Sequence, residues 1–312
     1  METFLVALNV ILPTCLLVGV GVFLRKVGVI KDAACEGLNA ISFRALLPCM
    51  VFNNIYGAKM GGTSFSLLLF FAGASFLVIF SVLLLIVPRI EKDGDKIGVM
   101  IQGSFHNSFI IIGMSLAIYL YPGSNYLTMA ILTLLAVPLN NILSVLALKI
   151  FKKEKTDWKR IALSAVTNPM VIACIAAMLI NLCMIRFPTP IESVISSLGG
   201  IATPLCLLAI GGGFKFGKSH SNLRQIFFPV TVKLLILPLI FIPISVLLGF
   251  RELALLALLV FFGSPTSPAT HILAVNYHSD TELSAQIVLY SNCFTALSLF
   301  MFIYALLSMG YL

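Results

Sequence analysis

Two short polar runs carry most of the chemistry that this chain can offer. Gly103-Ser104-Phe105-His106-Asn107-Ser108-Phe109 and Gly263-Ser264-Pro265-Thr266-Ser267-Pro268-Ala269 each interrupt an otherwise apolar segment. Their residue types suit binding better than bond-making. The amide of Asn107 can cap a broken half-helix or hydrogen-bond a solute, and the two roles are compatible. Pro265 and Pro268 remove two backbone donors and free the carbonyls one turn earlier. The hydroxyls of Ser104, Ser264, Thr266 and Ser267 add small donors and acceptors. His106 and His271 titrate near neutral pH and are candidates for proton coupling, with a neutral hydrogen-bonding role as the plainer reading. No nucleophile–base constellation accompanies these residues, so an enzyme is not expected. The seven cysteines (Cys15, Cys35, Cys49, Cys174, Cys183, Cys206, Cys293) are scattered without a C-x-x-C pair, and all but Cys35 lie in apolar runs. Cysteines so placed act as small hydrophobes, and neither a disulfide, a metal site nor a cofactor is expected.

Charge inside the apolar runs has one sign. All twelve carboxylates fall in loops or at the ends of apolar segments, whereas Arg44 and Lys233 lie within them. Proton pumps and cation exchangers commonly use a buried Asp or Glu, and an unpaired charge at membrane depth needs a cavity or a partner. With no buried carboxylate available, an anionic solute is the natural partner. Arg44 lies about nine residues, or ~14 Å of helix, inside its segment and precedes Pro48 by one turn. Its guanidinium can hold a carboxylate through two parallel bonds, or it can bond carbonyls freed by the proline. Lys233 lies nearer a segment end, where snorkelling to the interface is easy. Asn140 with Asn141, and Ser291 with Asn292, form polar pairs that suit interhelical bonding or a sodium site. Gly211-Gly212-Gly213 follows no strand, so it reads as close helix packing or a flexible end rather than a nucleotide loop.

The elements that must position these residues are membrane helices. Of 312 residues 60% are hydrophobic and 10% charged, with mean hydropathy +1.07. A soluble domain carries about 25% charged residues, so a polytopic membrane protein is expected. Apolar stretches of the roughly 20 residues needed to cross recur ten times. They cover 3–24, 35–56, 64–88, 97–121, 126–148, 161–184, 191–214, 226–249, 252–275 and 284–308. The first has no basic leader and is too long for a signal segment. Loops after odd-numbered spans hold fifteen Lys or Arg and those after even-numbered spans hold three, which are Lys59, Arg186 and Arg251. The positive-inside rule then makes the odd loops cytoplasmic and both termini external. The net charge of +8 is thereby explained without a nucleic-acid partner.

The chain also reads as a repeat. Pro13 and Pro169, Glu36 and Glu192, and Pro48 and Pro204 each stand 156 residues apart, and Gly103 and Gly263 stand 160 apart. Residues 1–150 and 158–312 then form two five-helix repeats, and the odd number inverts the second relative to the first. Interrupted helices at matching places in inverted repeats point to a carrier's site near the midplane.

Leu47-Pro48-Cys49-Met50-Val51-Phe52 resembles the "LPALIF"-like segment of the auxin efflux carrier family. His106-Asn107-Ser108-Phe109 with Gly113 resembles its "NTGFLGLP"-like fourth span, and Asn168-Pro169 its sixth-span "NP". Pro204 through Gly211-Gly212 and Pro265 through Asn276, with Tyr277 and Asp280, complete the likeness along the whole chain. The sequence departs from the pattern after Asn107, where the usual glycines and proline are absent. The resemblance implies an all-α fold of ten transmembrane helices, bile acid/sodium symporter-like, with helices 4 and 9 broken and crossed. It implies a scaffold domain of helices 1, 2, 6 and 7, a transporter domain of helices 3–5 and 8–10, and elevator-like movement. It also implies Asn107 and Pro265 or Pro268 at the crossing, and homodimers through the scaffold helices. The family includes plant auxin exporters and bacterial malate or malonate permeases, and the lack of a long cytoplasmic loop suggests a bacterial inner-membrane member. The expected function is export of a small organic anion, a carboxylate, driven by membrane potential. Na+- or H+-coupled symport and a transporter-fold membrane sensor are the alternatives.

Overall fold

A computed structural model describes residues 2–56, 65–124, 126–152, 163, 167, 169–213 and 223–312. These are helical throughout, and among them the only extended pairing is one isolated antiparallel bridge between Asn107 and Thr266. The elements are α1 (Glu2–Lys26), α2 (Asp32–Ile41), α3 (Leu47–Tyr56), α4 (Phe65–Ile90), α5 (Gly94–Phe105), α6 (Phe109–Leu120) and α7 (Leu127–Ile150). There follow α8 (Pro169–Leu182), α9 (Thr189–Gly212), α10 (Leu223–Thr231), α11 (Leu237–Leu247), α12 (Glu252–Gly263), α13 (Ala269–Asn276) and α14 (Thr281–Ser308). Among the described residues six stretches are long and apolar enough to cross a membrane: Asp32–Asn53, Phe65–Ile90, Leu127–Ile150, Thr189–Ala209, Leu223–Leu247 and Thr281–Ser308.

Local sequence explains where the helices bend and stop. A π turn, Ser42–Leu46, joins α2 to α3, and a second, Val232–Ile236, joins α10 to α11. Each is followed within two residues by a proline, Pro48 or Pro238. Proline has no N–H for the carbonyl four residues earlier, and a widened turn relieves the clash of its ring. The carbonyl that Pro238 leaves open, that of Leu234, accepts a hydrogen bond from Ser298 Oγ on α14. Both cations that the sequence places at membrane depth, Arg44 and Lys233, sit in these π turns. The segments expected at 97–121 and 252–275 are each two helices, parted at His106–Ser108 and Ser264–Pro268. Asp93 caps α5 through the Asp95 N–H, and Asp280 caps α14 through the Leu283 N–H at 2.8 Å.

Two sets of helices pack most closely, and α1 also lies against α6 and α14 of the second. α1 lies against α9, and α3 lies against α8 and α9. Here a side chain at Gly21 would stand 2.3 Å from the Leu208 carbonyl, and one at Gly211 would stand 2.0 Å from that of Val18. Close helix packing, one of the two readings of the Gly211 run, is therefore what the structure has. The second group gathers α4, α5, α6, α7, α10, α11, α12, α13 and α14. At its centre α12 is buried all round from Leu255 to Gly263, as a helix apolar on every face must be. Phe76 packs edge-on against Phe105 and tilted against Phe261, Phe109 packs edge-on against Phe261, and Phe241 stacks on Phe262 at 4.6 Å.

Candidate functional site

The two interruptions meet. Ser108 N–H donates to the Pro265 carbonyl at 3.0 Å and Ser267 N–H donates to the His106 carbonyl at 3.3 Å, an antiparallel exchange around Asn107 and Thr266. Broken backbone survives at membrane depth only when protein or a wet cavity satisfies it, and here each break satisfies the other. Side chains complete the arrangement. Thr266 Oγ1 donates to the Gly103 carbonyl at 2.8 Å, Asn107 Nδ2 to the Phe261 carbonyl at 2.9 Å, and Gln102 Nε2 to the Thr270 carbonyl at 3.1 Å.

The long helix after each break braces it. Asn140 on α7 accepts from the Asn107 N–H at 3.3 Å and donates to the Asn107 side-chain oxygen at 3.0 Å. On α14, Ser291 Oγ accepts from the Thr266 N–H at 3.1 Å and Asn292 Nδ2 donates to the Thr266 carbonyl at 3.3 Å. Asn140, Ser291 and Asn292 therefore do the interhelical bonding that was one of the two expected roles, while Asn141 returns its amide to the Val137 carbonyl of its own helix at 2.8 Å. Nearer the helix ends, Lys152 pairs with Asp95 at 2.8 Å and donates to the carbonyls of Tyr277 and His278 at 2.7 and 2.9 Å. One cation so ties the start of α5 to the end of α13.

Beside the crossing lies a cavity of about 610 Å³. Part of its lining is the helical stripe Glu36, Asn39, Ala40, Phe43, Arg44 and Leu47, spaced three and four apart along α2, its π turn and the start of α3. The polar part of the remaining lining brings together His106, Asn107, Ser108, Asn140, Asn141, Ser267 and His271. The Arg44 side chain is exposed to this space, and among the described residues no hydrogen bond or ion pair reaches its guanidinium. His106 is buried, with Nδ1 2.8 Å from Ser144 Oγ.

Other residues expected at the site stand behind the wall. Ser104 is fully buried and returns its hydroxyl to the Met100 carbonyl of its own helix at 2.8 Å, as helical serines do. Ser264 and Thr266 are fully buried, and neither they nor Pro265, Pro268, Ser291 and Asn292 line the cavity. Lys233 departs most from expectation. It does not snorkel: it is fully buried, and its Nζ donates to the carbonyls of Phe105, Phe261 and Phe262 at 3.2, 3.3 and 3.1 Å. Glu36 was grouped with carboxylates at segment ends, yet α2 begins at Asp32 and carries it into the cavity wall. The signal was present in its spacing of eight residues from Arg44, which puts both on one helical face.

The arrangement sets the broken backbone of the two interruptions and the Arg44 guanidinium around one cavity. Comparison with known proteins gives the family. The chain is 24% identical to an uncharacterized transporter of Methanothermobacter thermautotrophicus, over 95% of this chain and 97% of that protein. The profile of the family described as "Membrane transport protein" matches residues 6–303. With nearly its whole length matched, the chain belongs to the membrane transport protein family, that of the auxin efflux carriers.

Proposed function

We propose that this chain is a secondary carrier for a small organic anion, a carboxylate, bound between Arg44 and the crossing of the two breaks. The observation that carries this reading is the Arg44 guanidinium, exposed in the cavity and unpaired among the described residues. Such a charge at membrane depth requires a partner, and its planar fork matches a carboxylate. The Asn107 edge and the backbone of the breaks give the solute further polar contacts.

Ten crossings follow if each interrupted pair counts as one: α2 with α3, α5 with α6, α10 with α11 and α12 with α13, besides six single helices. Five precede and five follow the link near residue 158, giving an inverted repeat with both termini external. The group around α1, α3, α8 and α9 suits a scaffold that also forms a homodimer. The group holding both breaks suits a moving transporter domain, and their relative motion is elevator-type alternating access. The cavity wall begins at Glu36, just after the basic Arg25, Lys26 and Lys31. On the positive-inside reading it therefore faces the cytoplasm, where an anion for export is loaded. Membrane potential supplies about 2.3 kcal/mol per charge per 100 mV for that export.

The test is a thermal-shift and binding screen of mono- and dicarboxylates on purified protein, with malate and an aromatic acetic acid included. Bonds to charged groups contribute about 1.5–3 kcal/mol, so Arg44→Ala should weaken the best ligand by about 10- to 150-fold. An affinity left unchanged by that substitution would remove Arg44 from the site.

A further inference from the structure

The cavity holds a second charge that the pairing of a solute with Arg44 leaves unused. Glu36 and Arg44 both line it, and both are exposed. Among the described residues that line it they are its only carboxylate and its only Lys or Arg. No hydrogen bond or ion pair among the described residues reaches either side chain, so neither neutralises the other. Eight residues of helix, ~12 Å of axial rise, separate their positions. Ala40 and Phe43 lie between them on the same stripe, and Ile110, Val137 and Leu273 add apolar lining elsewhere.

A solute with one carboxylate finds a matched set of surfaces here. Its charge goes to Arg44 and its body lies against apolar side chains, as in most small-molecule sites. A solute with two carboxylates does not. Once Arg44 holds the first, the second finds no other Lys or Arg among the described lining residues and stands in the field of Glu36. Like charges about 8 Å apart, at effective dielectric constants of about 20 to 80, weaken binding by about 3- to 30-fold. Specificity commonly comes from such a repulsive element placed beside an attractive one. We propose that Glu36 is a specificity-determining residue: its carboxylate turns away the second charge of a diacid, so the cavity takes solutes with a single carboxylate on an apolar body. The inference rests on the reading of Arg44 as the carboxylate partner, which by itself admits mono- and dicarboxylates alike.

Straight-chain diacids of three to eight carbons and their monomethyl esters test this in pairs of equal length, so that the second charge is what differs. Binding is measured by calorimetry on purified protein in nanodiscs. At the chain length that binds best, the wild type should hold the monoester about 3- to 30-fold more tightly than the diacid. Glu36→Gln keeps the shape of the side chain without its charge and should bring that ratio close to one. A wild type that binds the diacid as tightly as the monoester, or more tightly because His106 or His271 holds the second charge, would overturn the inference. So would a Glu36→Gln variant that shifts both ligands alike, the mark of a structural role. The wild-type comparison needs no variant to fold. Arg44→Ala separates the two possible failures. If it weakens the monoester while the ratio ignores Glu36, the role of Glu36 alone is lost. If monoester binding is indifferent to Arg44, or absent at every length, the carboxylate reading falls and this inference with it.

Discussion

Asn107 shows how closely binding and scaffolding overlap at single residues. Its side chain lines the cavity, yet both ends of the amide are engaged, one with the Phe261 carbonyl and one with Asn140. Asn107→Ala removes two buried hydrogen bonds at a cost of about 0.5–1.5 kcal/mol each, so the variant should fold with a lowered melting temperature. Carboxylate binding measured at Arg44 should fall less than flux does, because the lost bonds couple the two breaks. Wild-type flux in reconstituted Asn107→Ala would count against a working crossing there. The polar interruptions were legible because Asn, His, Ser and Pro are hostile to a helix in an apolar run. The partners of Lys233 were not legible, since they are backbone carbonyls up to 128 residues away and carry no residue signature. Ser104 and Ser264 have the residue types of a binding site but face away from the cavity, and composition alone cannot tell the two orientations apart.

Whole elements were read with fewer errors than their ends. The interruptions separating α5 from α6 and α12 from α13 were expected from the sequence, and so was Pro48 as a helix disturbance, whereas Pro238 was not singled out. That each proline would be accommodated by a π turn was not expected, because local spacing gives the fault and not its remedy. The junction between α4 and α5 offers a test at this scale. Glu91 accepts from the N–H groups of Lys92 and Asp93 at 2.8 and 3.0 Å and from the amide of Gln225 on α10. Burial opposes its ionised form, but these hydrogen bonds and the nearby Lys96 charge outweigh that and hold its pKa below the usual carboxylate range. A depressed folded-state pKa contributes stability above the unfolded value, about 4.3 for Glu, and loses it as pH falls through the lower folded value. Glu91→Gln should therefore melt below the wild type at neutral pH, and the gap should close below about pH 4. A gap independent of pH would show that the charge of Glu91 does not link α4 to α10.

On the scale of the molecule, the sequence conveyed the membrane class through its apolar runs, and the likeness to auxin efflux carriers conveyed the family. The face on which the cavity opens follows from neither, because it depends on how the two groups of helices are set against each other. Ala40 lies on the cavity wall between Glu36 and Arg44. In a background freed of native cysteines, Ala40→Cys should react with a membrane-impermeant thiol reagent in inside-out vesicles, and a bound carboxylate should slow the reaction. Equal labelling in right-side-out vesicles would refute a cytoplasm-facing cavity. The antiparallel exchange of Ser108 and His106 with Pro265 and Ser267 also bears on how the protein is made. When α5 and α6 leave the ribosome, the chain that completes their backbone bonds has not been synthesised. At about 5–20 residues per second, residue 267 follows residue 106 by roughly 8–32 s. For that interval the nascent first half holds unfinished polar backbone, so its insertion into the membrane is provisional until the second half arrives to close it.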